Sequence, residues 1–209
     1  MIIKTLVENT ALSSYYDCQH GLSFYVETSN HKILVDLGQN DMFYENAKKL
    51  DVSVEDVDTV IITHGHYDHG GGLGAFFDHN DHAKVYIHKL AFGDYYSTAG
   101  KRMHYIGLDQ HLRHHPQCIL VENDFKIDDE LMLFTNVLER NYSAESNRAL
   151  KLLRDGKYED DMFLHEQNLI IKEGGHNVLL EGGMTAGVDD LILLMVIHMI
   201  LVLSVPEKL

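Results

Sequence analysis

The sequence predicts an α/β fold, and three observations carry that expectation. Short apolar or β-branched runs bounded by turn residues recur along the chain. Segments with a helical apolar stripe fall between some of them. One run, Val60–Thr63, reads as a fully buried strand and leads straight into a dense group of potential metal ligands. Helices and strands alternating around a mixed sheet define the class. At 209 residues, 45% hydrophobic and 23% charged, the chain has the length for one sizeable core and the composition of a globular protein.

The elements follow in order. Met1–Val7, Gly21–Thr28 and Lys32–Asp36 read as three strands of an antiparallel meander, the last two joined by the turn Ser29–Lys32. Asn40–Leu50 reads as a helix with Asn40 or Asp41 as N-cap and an inward stripe of Phe43, Ala47 and Leu50. After Val60–Thr63, a short helix is expected at Leu73–His79 and a strand at Lys84–His88. His79, His82 and His88 are expected at the surface. Phe92–Gln117 is rich in tyrosine and histidine but lacks a clear period. It reads as a pocket wall or as a solvated loop, with His104 and Tyr105 as the candidate substrate-pocket residues. His114–Pro116 reads as the end of a helix. Cys118–Val121 and Glu130–Thr135 read as further strands. Asn136–Asp161 is polar and reads as a solvent-side linker with a helical stretch near Ala144–Arg154. Asn168–Lys172 and Val178–Leu180 form a predicted hairpin, with His176 at its tip.

Four potential ligands lie within six positions: His64, His66, Asp68 and His69. If the backbone stays extended through His66, then His64 and His66 point to the same side, because strand side chains alternate. Gly70–Gly72 then let the chain bend closely around whatever is bound. Imidazole with carboxylate suits Zn²⁺ first, with iron, manganese or nickel also compatible, as one ion or two.

His64-Gly65-His66-Tyr67-Asp68-His69 resembles the signature of the metallo-β-lactamase superfamily. Leu6–Thr10, His20–Ser23, Ile33–Gln39 and His165–Leu169 are similar to a branch of small prokaryotic metal-dependent hydrolases. Some members of that branch are dihydropterin ribofuranosyl-aminobenzene phosphate synthases. The resemblance implies a metallo-β-lactamase-type αββα sandwich over residues 1–180. It implies that His64 and His66 hold a first metal and Asp68 and His69 a second. Asp68 would also orient the attacking water and so act as the catalytic residue. Asp36 would support the metal loop from behind, although an aspartate shortly before a glycine also reads as an ordinary turn former. Gly65 and Tyr67 would be tolerated spacers, and the insertion at Phe92–Gln117 would cover the site.

The implied activity is metal-dependent hydrolysis of a small-molecule ester, lactone, thioester or phosphodiester. A pterin-linked phosphate synthase is the alternative, with Lys89, Lys101 and Arg102 as the cations near the pocket segment. The resemblance stops after about Leu180. The position of a further metal-binding histidine holds Thr185, and residues 181–209 form a divergent apolar tail. Leu191–Leu203 has a single polar residue, His198, and falls short of the ~20 apolar residues of a membrane span. It reads as a buried element, as a self-association surface, or as the product of a truncated or shifted reading frame. Asp189, Asp190 and His198 are the nearby substitutes for the missing ligand. The second half of the sandwich is therefore expected to be incomplete. A metal-binding remnant that holds its ions weakly and turns over little is a further reading.

Composition excludes some classes. A net charge of −15 opposes a nucleic-acid surface, which needs clustered Lys and Arg. Cys18 and Cys118 are too few for a disulfide scaffold, so a cytoplasmic setting is expected. Met1–Lys4 has no basic leader pattern.

Overall fold

The computed structural model describes residues 1–135 and 145–181. The chain opens with the expected meander: β1 (Ile2–Val7), β2 (Ser23–Glu27) and β3 (Lys32–Val35), each antiparallel to the one before. Helix α1 (Met42–Lys49) follows. Asp41 is its N-cap residue, through its backbone carbonyl and without a side-chain cap, and Asn40 Oδ1 just before it accepts the Met42 N–H at 3.0 Å. Phe43, Asn46 and Ala47 face inward, and the Asn46 amide donates to the Leu6 carbonyl at 2.7 Å, tying the helix to β1.

From here the sheet turns parallel. β4 (Thr59–Ile62) lies beside β3. The short turn α2 (Tyr67–Gly70) and α3 (Leu73–His79) then carry the chain over to β5 (Lys84–His88), parallel to β4. β6 (Tyr95–Ser97) and β7 (His104–Tyr105) leave this sheet, and β8 (Cys118–Val121) returns to it beside β5. The order is β1-β2-β3-β4-β5-β8. β4 is buried along its whole length, which explains why its sequence is continuously apolar or β-branched rather than alternating.

A second sheet is antiparallel. β9 (Phe125–Lys126) and β10 (Leu131–Phe134) join β13 (Asn168–Glu173) and β14 (His176–Leu180) in the order β14-β13-β10-β9. Its inner face, with Leu131, Leu133, Leu169, Ile171 and Val178, packs on Phe24, Val26, Ile33, Val35 and Ile61 of the first sheet. The opposite face of the first sheet carries α1 and α3 through Phe43, Ala47, Leu73 and Phe76. Helices, sheet and sheet thus stack as three layers around two apolar cores.

The segment read as a helix-bearing linker meets that expectation only in a 3-10 turn at Glu145–Ala149. From Leu150 it forms β11 (Leu150–Arg154) and β12 (Lys157–Asp160), a hairpin that pairs with β6 to give a third sheet, β12-β11-β6-β7. Leucine, lysine and arginine are good helix formers, but Asp155 and Gly156 both take positive φ, 50° and 75°, the geometry of a tight two-residue hairpin. The turn and the partner strand β6 outweigh local propensity. His88 is also not at the surface: it ends β5 and is 4% exposed. His79 is half-buried against Tyr44, and His82 is exposed. Thr185, Asp189, Asp190, His198 and the stretch Leu191–Leu203 lie outside the described residues.

Candidate metal centre

Strand β4 ends at Ile62, and the next residues are held by a single carboxylate. Asp36, at φ 58° just past β3, is fully buried. Its Oδ1 accepts the Thr63 N–H at 2.8 Å. Its Oδ2 accepts the Thr63 hydroxyl at 2.7 Å and the His69 Nδ1–H at 2.7 Å. Since the Thr63 proton is directed at Asp36, Thr63 Oγ1 accepts from His64 Nδ1 at 3.1 Å. His64 and His69 are thereby both fixed with Nε2 left to face the site.

Burial holds the His64 pKa well below its ordinary value, and the neighbouring His69, His66 and His165 add to this. Burial also opposes charge on His69, but the Asp36 carboxylate outweighs it and raises that pKa. Burial pushes the Asp68 carboxyl up, yet the His20 hydrogen bond and the charges of His69 and His66 hold it well below the usual carboxylate range. His20 Nε2 lies 3.1 Å from Asp68 Oδ2. His64, Asp68 and His69 each offer one ligand atom within 4.8 Å of the others.

His66 belongs to a second group. The backbone remains extended at His66 (φ −96°, ψ 146°), and its ring centroid is 4.8 Å from that of His64. His66 Nε2 lies 2.9 Å from Asp161 Oδ2. His165 Nε2 lies 3.2 Å from both Asp161 oxygens, and its Nδ1 accepts the Gly65 N–H at 2.8 Å. These ligand atoms too fall within 4.8 Å of one another. Burial lowers the His165 pKa to about 4 despite the nearby Asp161. Burial pushes Asp161 up, but hydrogen bonds from His165 and His66 hold it well below the usual range. By ligand-atom distance His64 clusters with Asp68 and His69, and His66 with Asp161 and His165.

Gly65 is more than a spacer. A Cβ there would lie 2.2 Å from the Ala91 oxygen and 2.7 Å from Ala91 Cα, both backbone atoms. Tyr67 donates its backbone N–H to the Ile106 carbonyl at 2.8 Å. The aromatic-rich segment therefore does run along the metal loop, with a further bridge between His66 and Gly107. The side chains of His104 and Tyr105 are nevertheless exposed. Tyr105 donates to the Leu108 carbonyl and packs on Tyr96, and His104 Nδ1 lies near the Arg102 carbonyl. Tyr95 and Phe163 face the histidines: the Tyr95 ring centroid is 5.5 Å from that of His66 and 4.2 Å from that of His165, and the Phe163 centroid is 5.2 Å and 5.5 Å from the same two rings. A cavity of about 320 Å³ opens beside Asp161 and His165, with Phe92, Tyr95, Leu152 and Leu153 in its wall. Arg154 borders it; Lys89, Lys101 and Arg102 do not.

Sequence reasoning did not single out Asp161, His165, His20 or Tyr95. Asp161 closes a segment that read as linker, and His165 stood out only as the first residue of His165–Leu169. The contacts that join them to the motif span 95 and 100 residues, which spacing does not reveal.

The donor chemistry fits a borderline divalent metal: two imidazoles with Nδ1 engaged and Nε2 available, and an ionised carboxylate beside them. Among the described residues no helix is long and apolar enough to cross a membrane. The chain is 34% identical over 190 residues to an uncharacterized protein of Methanocaldococcus jannaschii, covering 86% of this chain and 71% of that one. It is 32% identical over 103 residues to the 7,8-dihydropterin-6-methyl-4-(beta-D-ribofuranosyl)-aminobenzene-5'-phosphate synthase of the same organism. That match covers 46% of this chain and 35% of the synthase. The crystal structure of a metal-dependent hydrolase of the beta-lactamase superfamily matches with a TM-score of 0.73 at 28% identity, over 91% of this chain and 69% of that one. The sequence pattern of the metallo-beta-lactamase superfamily covers residues 16–142, which take in β2 to β10 and the His64–His69 motif but not β1. On this agreement of pattern, relatives and fold, the chain belongs to the metallo-beta-lactamase superfamily.

Proposed function

We propose that the chain is a hydrolase of small molecules that uses one or two metal ions, Zn²⁺ foremost, with iron or manganese as alternatives. The observation that carries this reading is the Asp36–Thr63 network, which fixes His64 and His69 with Nε2 toward Asp68. His64, His66, Asp68 and His69 are the proposed metal ligands. A bound ion supplies Lewis acidity and lowers the pKa of a water from ~16 to about 7. Asp68 stays ionised throughout the neutral range, so its carboxylate would be available to accept a hydrogen bond from a water held there. His20, at 3.1 Å, holds the Asp68 carboxylate in place. Tyr95 and Phe163, both buried, exclude bulk water from the His66 side.

The test is metal content per chain after dialysis, together with hydrolysis of a panel of esters, lactones, thioesters and phosphodiesters. The joint substitution His64→Ala and His66→Ala should abolish both binding and turnover, whereas His79→Ala and His82→Ala should leave both unchanged. Full metal retention in the double variant would place the site elsewhere. A second reading, phosphate chemistry on a pterin-linked substrate, is favoured by the stretch shared with the dihydropterin synthase and by Arg154 at the cavity rim. Turnover confined to phosphate-bearing members of the panel, and lost in Arg154→Ala, would select it.

A further inference from the structure

We infer that Asp161 and His165 are positioning residues that hold His66 in one tautomer, with Nε2–H turned to Asp161 and Nδ1 presented to a metal. They are not ligands themselves, although their atoms cluster at ligand-like distances. The inference deepens the proposed function and rests on its reading of His66 as a ligand.

The Gly65 backbone N–H can only donate, and it points at His165 Nδ1 at 2.8 Å. That nitrogen must therefore carry a lone pair. A neutral imidazole with a lone pair on Nδ1 carries its hydrogen on Nε2. His165 Nε2 sits 3.2 Å from each Asp161 oxygen, so it donates to the carboxylate. To bind a metal, this nitrogen would have to lose its hydrogen and leave an imidazolate, a far less accessible form than the neutral ring.

Asp161 is next in the chain of bonds. Its Oδ1 already accepts the Phe163 N–H at 2.8 Å. Its Oδ2 faces His66 Nε2 at 2.9 Å. An ionised carboxylate has no hydrogen to offer, so His66 Nε2 is a donor as well. Neutral His66 then has its lone pair on Nδ1, the only ring atom through which it can hold a metal. The bonds close a ring: Gly65 to His165, His165 to Asp161, Asp161 to His66, and His66 back to Gly65 through one peptide link. The ring fixes the backbone and the side chain of the same ligand together. All three side chains are nearly out of solvent contact, His66 5%, Asp161 6% and His165 1% exposed, so water does not compete for these bonds. A carboxylate behind a metal-binding histidine sets its tautomer and ring orientation, and removing such a partner costs ~10–100-fold in metal affinity.

The experiment is long-range ¹H–¹⁵N correlation NMR of the full chain labelled at histidine, recorded metal-free and after adding one and two equivalents of Zn²⁺. The expected result is an Nε2–H pattern for both His66 and His165 without metal. Zinc should then move the His66 Nδ1 resonance and leave His165 unchanged. A His66 Nδ1–H pattern, or loss of the His165 Nε2–H pattern on adding zinc, would overturn the inference. The metal-free spectrum decides the tautomers even if zinc fails to bind; that failure would instead sink the proposed function.

Asp161→Asn supplies the second arm, since one amide oxygen would have to serve the two rings and the Phe163 N–H, and the amide NH2 offers a donor where an acceptor is needed. Zinc affinity, read by chelator competition, should fall ~10–100-fold. The visible spectrum of the Co²⁺-loaded variant should keep its band positions and intensity, because no ligand is lost. A changed Co²⁺ spectrum would mark Asp161 as a ligand and refute the assignment.

Discussion

Removing the Asp36 carboxylate would leave three donors without their acceptor: the Thr63 N–H, the Thr63 hydroxyl and His69 Nδ1–H. Each buried donor left unpaired costs about 1–3 kcal/mol. Asp36→Ala should therefore destabilise the fold by at least about 3 kcal/mol in denaturant unfolding. It should also weaken metal binding ~10–100-fold in chelator competition, because both Nε2 atoms lose their orientation. A second test at this scale is Gly65→Ala. The new methyl group meets the Ala91 backbone, which cannot rotate away, so a loss at the upper end of the usual 1–3 kcal/mol for overpacking is expected, roughly 3 kcal/mol, read as a lowered melting temperature. Only the resemblance pointed Asp36 toward this loop; the glycine that follows shortly favoured the ordinary turn reading, and the bonds to Thr63 and His69 appear only in the fold. The need for Gly65 was not legible either. Its neighbour, Ala91, lies beyond β5, and nothing in His64–His69 announces how closely that backbone approaches.

Elements marked by short apolar runs or stripes between turn residues were the easiest to read. α3, β5 and β8 occupy the residues expected of them. β11 was missed because Leu150–Arg154 has the composition of a helix and its partner β6 sits in the aromatic segment that showed no period. The overlooked cue was Asp155-Gly156, a dipeptide that favours a two-residue hairpin turn. A Cβ on Gly156 would meet nothing within 4 Å, so Gly156→Ala isolates the backbone cost of φ 75°. We expect a loss of about 1 kcal/mol, seen as a lower urea midpoint with an unchanged slope. Because Leu152, Leu153 and Arg154 border the cavity beside Asp161, the same variant should raise KM more than it lowers kcat for any substrate that fills it.

The two sheets meet at the site, and the molecule's response to pH follows from that. His165 is buried as a neutral ring with a pKa of about 4, against an ordinary value of 6.5. Between these values the unfolded chain takes up a proton that the folded chain refuses. The stability due to His165 is thus fully present above pH 6.5 and is lost as pH falls toward 4. Urea titrations of metal-free protein should show the advantage of wild type over His165→Gln shrinking across that window, and a constant difference would contradict it. At the same scale, the charge of −15 should leave the protein without measurable affinity for DNA or RNA at ~150 mM salt, as a gel-shift would read. The first sheet and its motif were legible because the motif follows directly on a buried strand. The contribution of the second half was not, because pairing across a hundred residues is a property of the packed sheets. Gln167 makes the same point in time rather than in space. Its backbone N–H donates to the Thr63 carbonyl, and its side-chain amide reaches the Ile62 and Tyr86 carbonyls, across 105 and 81 residues. Contacts of such separation form late, after the long loop between them has closed. The ends of β4 and β5 are therefore secured only once β13 has docked, and the fixed orientation of the ligands is the last thing the chain acquires. In stopped-flow refolding, capture of zinc should lag behind the recovery of β-sheet signal and share its rate with sheet docking, so that the metal serves as a clock for the final step of folding.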